Sequence, residues 1–385
     1  MPKKKIRVAF CMRDMQMGGA KAVLVRTLEQ LIKRDDLDVS FVSYVKITEP
    51  VYAQWFANHP QVKQYVLYPC PWLGTKLKRF FLLRIGQHFL RDIYRWGRRI
   101  MFNKRVWNNF DVVVDYYDFG FYQELKNVNV RKIAWWHSSI NKFISGANKY
   151  IKFLKKYNQF VVLTDGFMTE FKEKWPQCKN KIVRIYNPMD IGVIQKRAID
   201  AMRELDNDYF ICVARLSGDK DIETVLRAFD IFWQNNNCPD VNMVFVGGGD
   251  LNKYRALADK FGVRDKIIFM GAQKNPFGFM KYSMAHVLSS HSEGLPTVLL
   301  ETMAVEVLNI ASDCKNGPRE ILLDGDAGLL FQPGNADDLA AHMENVWKNK
   351  VPIKKMKKAA TKSCDRFSIQ NVIPDVVKVI KHQRA

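Results

Sequence analysis

Two glutamates stand out in the segment HSEGLPTVLLETMA, residues 291–304. Glu293 lies in a Gly-Pro turn, and Glu301 lies eight positions later in a predicted apolar helix. We place Pro296 at the first helical position, where a missing N–H group is tolerated. Glu301 then lies just over one turn into the helix, and helical side chains lean toward the N-terminus. Both carboxylates can therefore reach the space at the start of the helix.

The start of this helix also offers free backbone N–H groups and the positive end of the helix dipole, which favour a phosphate. Two carboxylates beside an anion site are unfavourable unless they bind uncharged groups such as hydroxyls. The combination predicts a ligand that carries both phosphates and hydroxyls, as a sugar nucleotide does.

Other candidate residues follow predicted strands. Gly18 and Gly19 could let the backbone approach a ligand closely, although a tight strand-to-helix turn explains them about as well. Arg215 follows a strand and Lys220 begins the next helix, so two cations lie where a diphosphate would need them. A pair of surface charges is an equally good explanation of these two residues alone.

His137 directly follows another strand, in WWHSS. A lone histidine is usually structural, but this position makes it a candidate for ligand contact. The segment VGGGD, residues 246–250, also follows a strand; it is either another ligand-side loop or a simple turn, and the turn explains it better. Metal-ligand spacings, the nucleophile elbow and the P-loop motif are all missing from the sequence. We therefore expect no metal and no cofactor.

Strand patterns alternate with helical patterns along all 385 residues, which predicts an α/β protein with mostly parallel sheets. The alternation restarts near Asn187-Pro188, so we expect two doubly wound domains. The expected boundaries are residues 1–187, residues 188–365, and a C-terminal helix over residues 366–385 that packs on the first domain.

The net charge of +21 is unevenly distributed. Residues 1–187 contain 34 Lys and Arg but only 14 Asp and Glu, whereas the remainder is nearly neutral. A basic half predicts a polyanionic partner, either nucleic acid or an anionic membrane. The seven scattered cysteines indicate neither zinc nor a disulfide framework, so a reducing cytoplasm is expected. We find neither a signal-peptide pattern nor an apolar run of about 20 residues.

Much of this charge lies in the stretch Lys76–Arg105, which has ten cations and a single acid, Asp92. One side of a helix over this stretch would be apolar: Phe81, Ile85, Phe89, Ile93, Trp96 and Ile100. The other side would be cationic: Arg84, His88, Arg91, Arg95 and Arg98. This pattern predicts a helix lying on an anionic membrane surface. The alternative is a surface helix packed on its own core, with arginines reaching to solvent. Nucleic acid is disfavoured because no base-reading motif accompanies the charge.

Five segments together resemble retaining GT-B glycosyltransferases of family 4. They are ARLSGDKDIETVLRAF, VGGGDL, IIFMGAQKNPFGFM, LSSHSEGLPTVLLETMA and SDCKNGPREILLDGDAGLLF, in the family's order. The match is dense over about residues 205–345 and looser over the N-terminal half. It implies a GT-B fold, in which two doubly wound Rossmann-like domains face each other across a cleft.

The resemblance implies a role for each matching residue. Arg215 and Lys220 would bind the donor diphosphate, Glu301 the ribose hydroxyls, and Glu293 the hydroxyls of the donor sugar. His137 resembles the N-domain histidine near the sugar and would be catalytic together with Arg215, Lys220 and Glu293. The remaining donor contacts would come from Gly18, Gly19, Gly271, Asn275, Gly294, Leu295, Pro296 and Thr297. There are two departures from the family pattern. Glu306 and Leu308 stand in the segment after the helix where the family usually has Gly and Pro, which puts the local turn in doubt but not the motif. Asp221 stands where a glycine often follows the lysine.

The implied reaction is metal-independent transfer of a sugar from a nucleotide diphosphate, with UDP favoured, to a hydroxyl with retention. A lipid-linked saccharide is the expected acceptor, as in lipopolysaccharide, capsule or glycolipid synthesis, with the enzyme at the inner face of the membrane. Two alternatives stay open. A sugar-nucleotide epimerase would share the fold and need no acceptor, and a nucleic-acid binder would explain the charge but not the two glutamates.

Overall fold

The computed structural model describes residues 4–16, 18–69, 92–102, 105–137 and 154–382. They form two compact units. Unit 1 contains the described residues of 1–163, 168–188 and 372–385, and unit 2 contains 164–167 and 189–371. Each unit is built on one sheet, and all strand pairings between the described strands are parallel. The predicted α/β class with parallel sheets is confirmed.

The sheet of unit 1 is formed by seven described strands. They are β1 (Ile6–Met12), β2 (Leu37–Ser43), β3 (Lys63–Val66), β4 (Val112–Asp115), β5 (Arg131–Trp135), β6 (Gln159–Val162) and β7 (Ile182–Arg184). Their order in the sheet is β3-β2-β1-β4-β5-β6-β7. The chain leaves β1 toward one edge of the sheet and β4 toward the other. The carboxyl ends of β1 and β4 therefore form a topological switch point, where open sheets of this type bind ligands.

The sheet of unit 2 is formed by six described strands. They are β8 (Asp208–Val213), β9 (Val241–Val246), β10 (Ile267–Gly271), β11 (Ala285–Leu288), β12 (Leu308–Ser312) and β13 (Leu329–Phe331). Their order is β10-β9-β8-β11-β12-β13, so β8 and β11 form the switch point of this unit.

The helices connect and cover these strands. In chain order they are α1 (Gly19–Leu31), α2 (Pro50–Asn58), α3 (residues 92–102), α4 (Tyr122–Leu125), α5 (Asp165–Lys174), α6 (Ile191–Ile199), α7 (Ile222–Asn235), α8 (Leu251–Lys260), α9 (Phe277–Lys281), α10 (Thr297–Ala304), α11 (Pro318–Ile321), α12 (Ala336–Trp347), α13 (Ile353–Cys364) and α14 (Ile369–Ile380). Helices on the faces of a parallel sheet bury its strands, which explains why the strands are almost continuously apolar.

Each unit has its own hydrophobic core. In unit 1, Trp107 and Phe121 are buried with residues of β1 and β4. In unit 2, Phe232 of α7 and Met343 of α12 are buried in the same cluster. The C-terminal part of α14 belongs to unit 1, where the Arg131 guanidinium donates hydrogen bonds to the carbonyl of Val379 at 2.8 Å. Helix α14 is thereby attached to β5 of unit 1.

The basic stretch of residues 76–105 is described only in part. Residues 76–91, which include Phe81, Arg84, Ile85, His88, Phe89 and Arg91, lie outside the described residues, as do residues 103–104. Of the described part of the stretch, residues 92–102 form α3, and Arg105 is also helical. No helix in the described ranges has both the length and the hydropathy needed to cross a bilayer.

Candidate functional site

The best-defined polar cluster of unit 2 lies at its switch point. Lys220 is in the turn after β8, and Glu293 is in the loop after β11. The structure brings these two predicted residues together: Lys220 Nζ is 2.5 Å from Glu293 Oε1. Their side chains are 22% and 12% exposed, so the ion pair is largely shielded from water. A shielded pair interacts more strongly than the surface pairs that solvent screens.

Serines that the sequence analysis did not select connect the two loops. Ser290 Oγ donates a hydrogen bond to Glu293 Oε1 at 2.6 Å. Ser289 Oγ donates to the backbone carbonyl of Lys220 at 2.7 Å. Both serines are buried. Their sequence signal was a Ser-Ser pair at the end of the apolar strand β11, a position where buried hydroxyls must find partners.

Asp221, one of the two departures from the family pattern, preserves the turn in which it lies. Its φ is 47° and its ψ is 50°, a left-handed conformation that favours glycine. The Asp221 carboxylate caps α7 by accepting hydrogen bonds from the backbone N–H and the Oγ1 of Thr224, at 3.4 and 2.7 Å. It also lies 3.3 Å from His291 Nε2. These contacts offset the strain of a non-glycine residue in this conformation.

Arg215 extends from the loop that follows β8, and its side chain is 72% exposed. Its Nε donates to Ser217 Oγ at 3.3 Å, and its Nη2 lies 3.6 Å from Asp219 Oδ2. Arg215 therefore lies at the same end of β8 as Lys220, with contacts to its own turn. Its side chain is accessible to a ligand at the switch point.

The glycines of VGGGD position the Arg215 loop. A Cβ at Gly247 would lie 1.8 Å from the carbonyl oxygen of Ala214, and one at Gly249 would lie 2.3 Å from that of Leu216. Both distances are far below any real contact, so the two loops can lie this close only with glycine at these positions. Interpreting VGGGD as a simple turn missed this role, because the close approach depends on strands far apart in sequence.

The loop Gly294-Leu295-Pro296 precedes α10 and is buried. Our prediction of its boundary was wrong by one residue, because α10 begins at Thr297 and Pro296 is the N-cap, with extended backbone angles. Gly317 lies against this loop: a Cβ there would be 2.6 Å from Pro296 Cδ and 2.9 Å from the Gly294 carbonyl oxygen. Sequence analysis did not select Gly317, although its Asn-Gly-Pro context signals a tight turn.

Glu301 lies one turn into α10 and is half-buried. A buried polar network holds the helix beneath it. Thr302 Oγ1 donates to Asn309 Oδ1 at 2.7 Å, and His286 Nδ1 lies 2.9 Å from the same oxygen. Burial lowers the pKa of His286 to about 4, so its imidazole is neutral at physiological pH. An asparagine within the apolar strand β12 was the sequence signal for this network.

The second departure, Glu306, also preserves its turn. It follows α10 with a φ of 60°, the left-handed conformation that a glycine would adopt freely. Its side chain is exposed. The turn therefore forms with some backbone strain.

The remaining predicted residues of unit 2 lie beside β9 and β10. The carbonyl of Gly271, whose φ is 67°, accepts a hydrogen bond from Gly247 N–H at 2.8 Å. Asn275 donates from Nδ2 to the backbone carbonyl of Arg197 at 2.9 Å, and its Oδ1 is buried without a partner among the described residues. Gly271 thus borders the glycine loop, while the amide nitrogen of Asn275 is used in a structural contact.

Unit 1 has a cavity of about 490 Å³ at its own switch point. Its walls come from the end of β1, the start of α1, the loop after β4, and α4. They are Met12, Arg13, Asp14, Lys21, Tyr117, Asp118, Phe119, Gly120, Tyr122 and Gln123. Gly18 is the N-cap of α1, and its carbonyl accepts from Lys21 N–H at 3.1 Å. Gly18 and Gly19 thus begin the helix that carries Lys21 to the cavity.

His137 lies beside the residues of this cavity. Its backbone N–H donates to Asp118 Oδ1 at 2.8 Å, and its ring stacks on Tyr117 with centroids 5.9 Å apart. Burial lowers the pKa of His137 to about 3, so the ring is neutral. Its Nε2 is buried and has no hydrogen-bond partner among the described residues. A neutral imidazole of this kind can donate a hydrogen bond to a hydroxyl or accept one from it, but it cannot supply positive charge.

The described residues contain no candidate metal site. No three His, Cys, Asp or Glu side chains of the described residues come together in a way that could hold an ion. The six described cysteines are free thiols.

Comparisons with known proteins agree with this geometry. Residues 196–363 match the family described as glycosyl transferases group 1. An uncharacterized glycosyltransferase of Methanocaldococcus jannaschii is 31% identical over 189 residues, which cover 47% of this chain and 46% of that protein. A lipopolysaccharide 1,6-galactosyltransferase of Salmonella typhimurium is 30% identical over 177 residues, covering 43% of this chain and 46% of that protein. The chain therefore spans about half the length of each of these curated relatives.

Among solved structures, Anabaena Alr3699/HepE in complex with UDP matches with a TM-score of 0.76 and 14% identity, covering 98% of this chain and 100% of that one. Identity this low shows the fold alone. The chain therefore has the GT-B fold, with two parallel-sheet α/β domains, and its residues 196–363 match the glycosyl transferases group 1 family.

Proposed function

We propose that this protein transfers a sugar from a nucleoside diphosphate, with UDP favoured, to a hydroxyl of a lipid-linked saccharide, as a retaining family 4 enzyme. The observation that carries the proposal is the shielded Lys220–Glu293 pair at the β8/β11 switch point. A cation and a carboxylate side by side suit the two halves of such a donor, because the cation binds phosphate and the carboxylate binds hydroxyls.

In this proposal each charged group of unit 2 contacts one part of the donor. Lys220 and Arg215 bind the diphosphate, and the N-terminus of α10 adds its backbone N–H groups. Glu293 accepts hydrogen bonds from hydroxyls of the donor sugar, and Glu301 accepts them from the ribose. Without a donor, Glu293 receives hydrogen bonds from Lys220 and Ser290. A bound donor would contact the same two groups, with its diphosphate at Lys220 and a sugar hydroxyl at Glu293. These contacts would orient the donor before reaction.

The chemical step breaks the bond between the anomeric carbon and the diphosphate oxygen. Negative charge develops on the leaving phosphate, and the two cations and the helix dipole are preorganised to stabilise it. The acceptor oxygen bonds to the anomeric carbon on the same face, and its proton passes to the leaving phosphate. This chemistry uses no metal ion, so metal independence is part of the proposal.

The cavity of unit 1 supports a saccharide as acceptor. Its lining combines carboxylates, cations and the Tyr117 ring, over which Lys21 Nζ lies at 5.1 Å. Such a mixture matches the hydroxyls and apolar faces of a sugar better than a wholly apolar or wholly cationic ligand. The relative from Salmonella typhimurium is described as acting on lipopolysaccharide, which supports a lipid-linked saccharide and a hexosyl donor, and hence a role in synthesis of a cell-surface polysaccharide, lipopolysaccharide or glycolipid.

The test is release of UDP from a panel of UDP-sugars. We expect slow hydrolysis without acceptor and faster turnover with lipid-linked saccharides, giving a product with the anomeric configuration of the donor by proton NMR. Lys220→Ala should lower turnover about 10²-fold, or about 3 kcal/mol, because it removes a preorganised cation. Lys354→Ala, at an exposed lysine of α13, is the matched control. Equal activity of both variants, or interconversion of two UDP-sugars instead of transfer, would contradict the proposal.

A further inference from the structure

Helix α3 turns an apolar stripe outward, although its Tyr94 and Phe102 pack against the core of unit 1. Ile93, Trp96 and Ile100 recur at helical spacing on one side and are 48%, 65% and 39% exposed. A helix on a soluble protein normally turns such a stripe toward the core and its charges toward water. Here the three apolar side chains face outward.

The arginines of α3 face the protein and anchor the helix. Arg98 donates from Nε to the Leu67 carbonyl at 2.8 Å and from Nη2 to the Val66 carbonyl at 3.0 Å. Arg99 Nη2 lies 3.0 Å from the carboxylate of Glu124, whose side chain is only 2% exposed. One part of the alternative interpretation of the sequence is confirmed, because α3 packs on the core of unit 1 through Tyr94 and Phe102. The expectation that its arginines reach to solvent is wrong for Arg98 and Arg99, which contact the protein.

These anchoring contacts neutralise little of the positive charge of the arginines. Arg98 bonds to neutral carbonyls, and Arg95 lies over the ring of Tyr68 at 5.6 Å. Of the three contacts, that of Arg99 alone is with a carboxylate. The surrounding half of the chain, residues 1–187, carries 34 Lys and Arg against 14 Asp and Glu. An outward apolar stripe thus lies on a strongly positive domain.

We infer that the Ile93–Trp96–Ile100 face of α3 docks on an anionic lipid bilayer. Tryptophan favours the interface between headgroups and acyl chains, isoleucine favours the acyl region, and the positive domain is attracted to anionic lipid. A bilayer fits this face better than a second copy of the chain, because two copies would bring two highly basic domains together. The purpose of this docking rests on the proposed function, because docking would bring the enzyme to a lipid-linked acceptor.

The experiment is flotation of the full chain with vesicles. Wild type should float with phosphatidylglycerol vesicles, much less with phosphatidylcholine vesicles, and less at high salt. A variant with Ile93, Trp96 and Ile100 replaced by Ser should bind phosphatidylglycerol vesicles at least tenfold more weakly. The matched control replaces Val193, Ile199 and Met202 by Ser, since these apolar side chains of unit 2 are at least as exposed, and it should float like wild type.

Because all the replaced side chains are exposed, both variants should melt like wild type. Substitution of Arg98 or Arg99 is unsuitable, since it would detach the helix. Failure of wild type to float, or equal flotation of the α3 variant, would overturn the inference. So would a wild-type dimer that becomes a monomer in the α3 variant without any lipid binding.

A parallel assay separates this inference from the proposed function. UDP-sugar hydrolysis without lipid should be unchanged in the α3 variant, because α3 carries none of the donor-binding residues. Loss of flotation with retained hydrolysis supports docking through this face. Flotation by a wild type that hydrolyses no UDP-sugar would remove the proposed function and leave the docking surface standing.

Discussion

Replacing Gly247 by alanine should lower the proposed transferase activity, although it changes no charged residue. The added Cβ would lie 1.8 Å from the carbonyl oxygen of Ala214, whereas real Cβ contacts essentially never fall below 3.0 Å. The backbone of Ala214 must therefore move by about 1 Å, and Arg215 is the next residue. A shift of this size at a charge-stabilising group typically costs about 10²-fold in rate. We expect kcat/KM for the donor to fall about 10²-fold, or about 2.7 kcal/mol.

Two glycines of the same domain provide matched controls for this effect. An alanine Cβ at Gly248 would meet only the Ala272 Cβ, at 4.0 Å, so Gly248→Ala should retain activity. Gly262 has a φ of +72° with open space around it. Gly262→Ala should therefore lose about 1 kcal/mol of stability from backbone strain while keeping its kcat/KM. Together these variants distinguish the effect of displacing the Arg215 loop from the effect of losing a glycine.

The assay is steady-state release of UDP, with a thermal melt of each variant. If the loss acts through Arg215, adding Arg215→Ala to the Gly247→Ala background should reduce kcat/KM less than threefold further, because the two changes disable the same group. Wild-type kcat/KM in Gly247→Ala would refute the reasoning. A full additional loss in the double variant would also refute it, since Arg215 would then still be acting.

Three further predictions concern stability and donor binding. Glu306→Gly should raise the free energy of unfolding by about 1 kcal/mol, measured in urea, because glycine relieves a left-handed conformation; an unchanged or lower value would mean that the turn is not strained. Burial raises the pKa of the Asp115 carboxyl to about 7, so its contribution to stability is present at acidic pH and is lost as pH rises from about 4 to 7. Asp115→Asn should therefore gain about 4 kcal/mol relative to wild type between pH 4 and pH 8, and parallel pH profiles of the two proteins would exclude this. Glu301→Gln should weaken UDP binding about tenfold in calorimetry, and excess EDTA should leave turnover unchanged; restoration of a chelated enzyme by magnesium or manganese would contradict metal-free phosphate stabilisation.

The sequence alone determined the class of fold and selected two residues of unit 2 that meet in the structure. Alternating apolar strands and amphipathic helices specify parallel α/β layers through local patterns, and the sheets of both units are parallel as predicted. Glu293 was selected because it lies in a turn before a helix, eight positions from Glu301, and Lys220 because it begins the helix that follows a strand. Parallel strands end at the same edge of a sheet, so residues 73 positions apart along the chain meet there. Their proximity follows from that rule once the strands are known.

The order of strands and the fit between loops were decided by tertiary structure. Nothing in VGGGD reveals that the carbonyl of Ala214 lies 1.8 Å from the Cβ position of Gly247, because that approach depends on the pairing of β8 with β9. The roles of Gly317 and of the buried Asn309 network have the same origin. Each arises from a contact between loops or strands that are far apart along the chain, and no local sequence pattern reveals such a contact.

The orientation of α3 shows the same division most clearly. The sequence determined that Ile93, Trp96 and Ile100 share one side of a helix and that arginines occupy the other, because helical periodicity is a local property. It could not determine which side faces the protein. That choice depends on partners remote in sequence, the carbonyls of Val66 and Leu67 and the buried carboxylate of Glu124, which accept the arginines and so turn the apolar side outward.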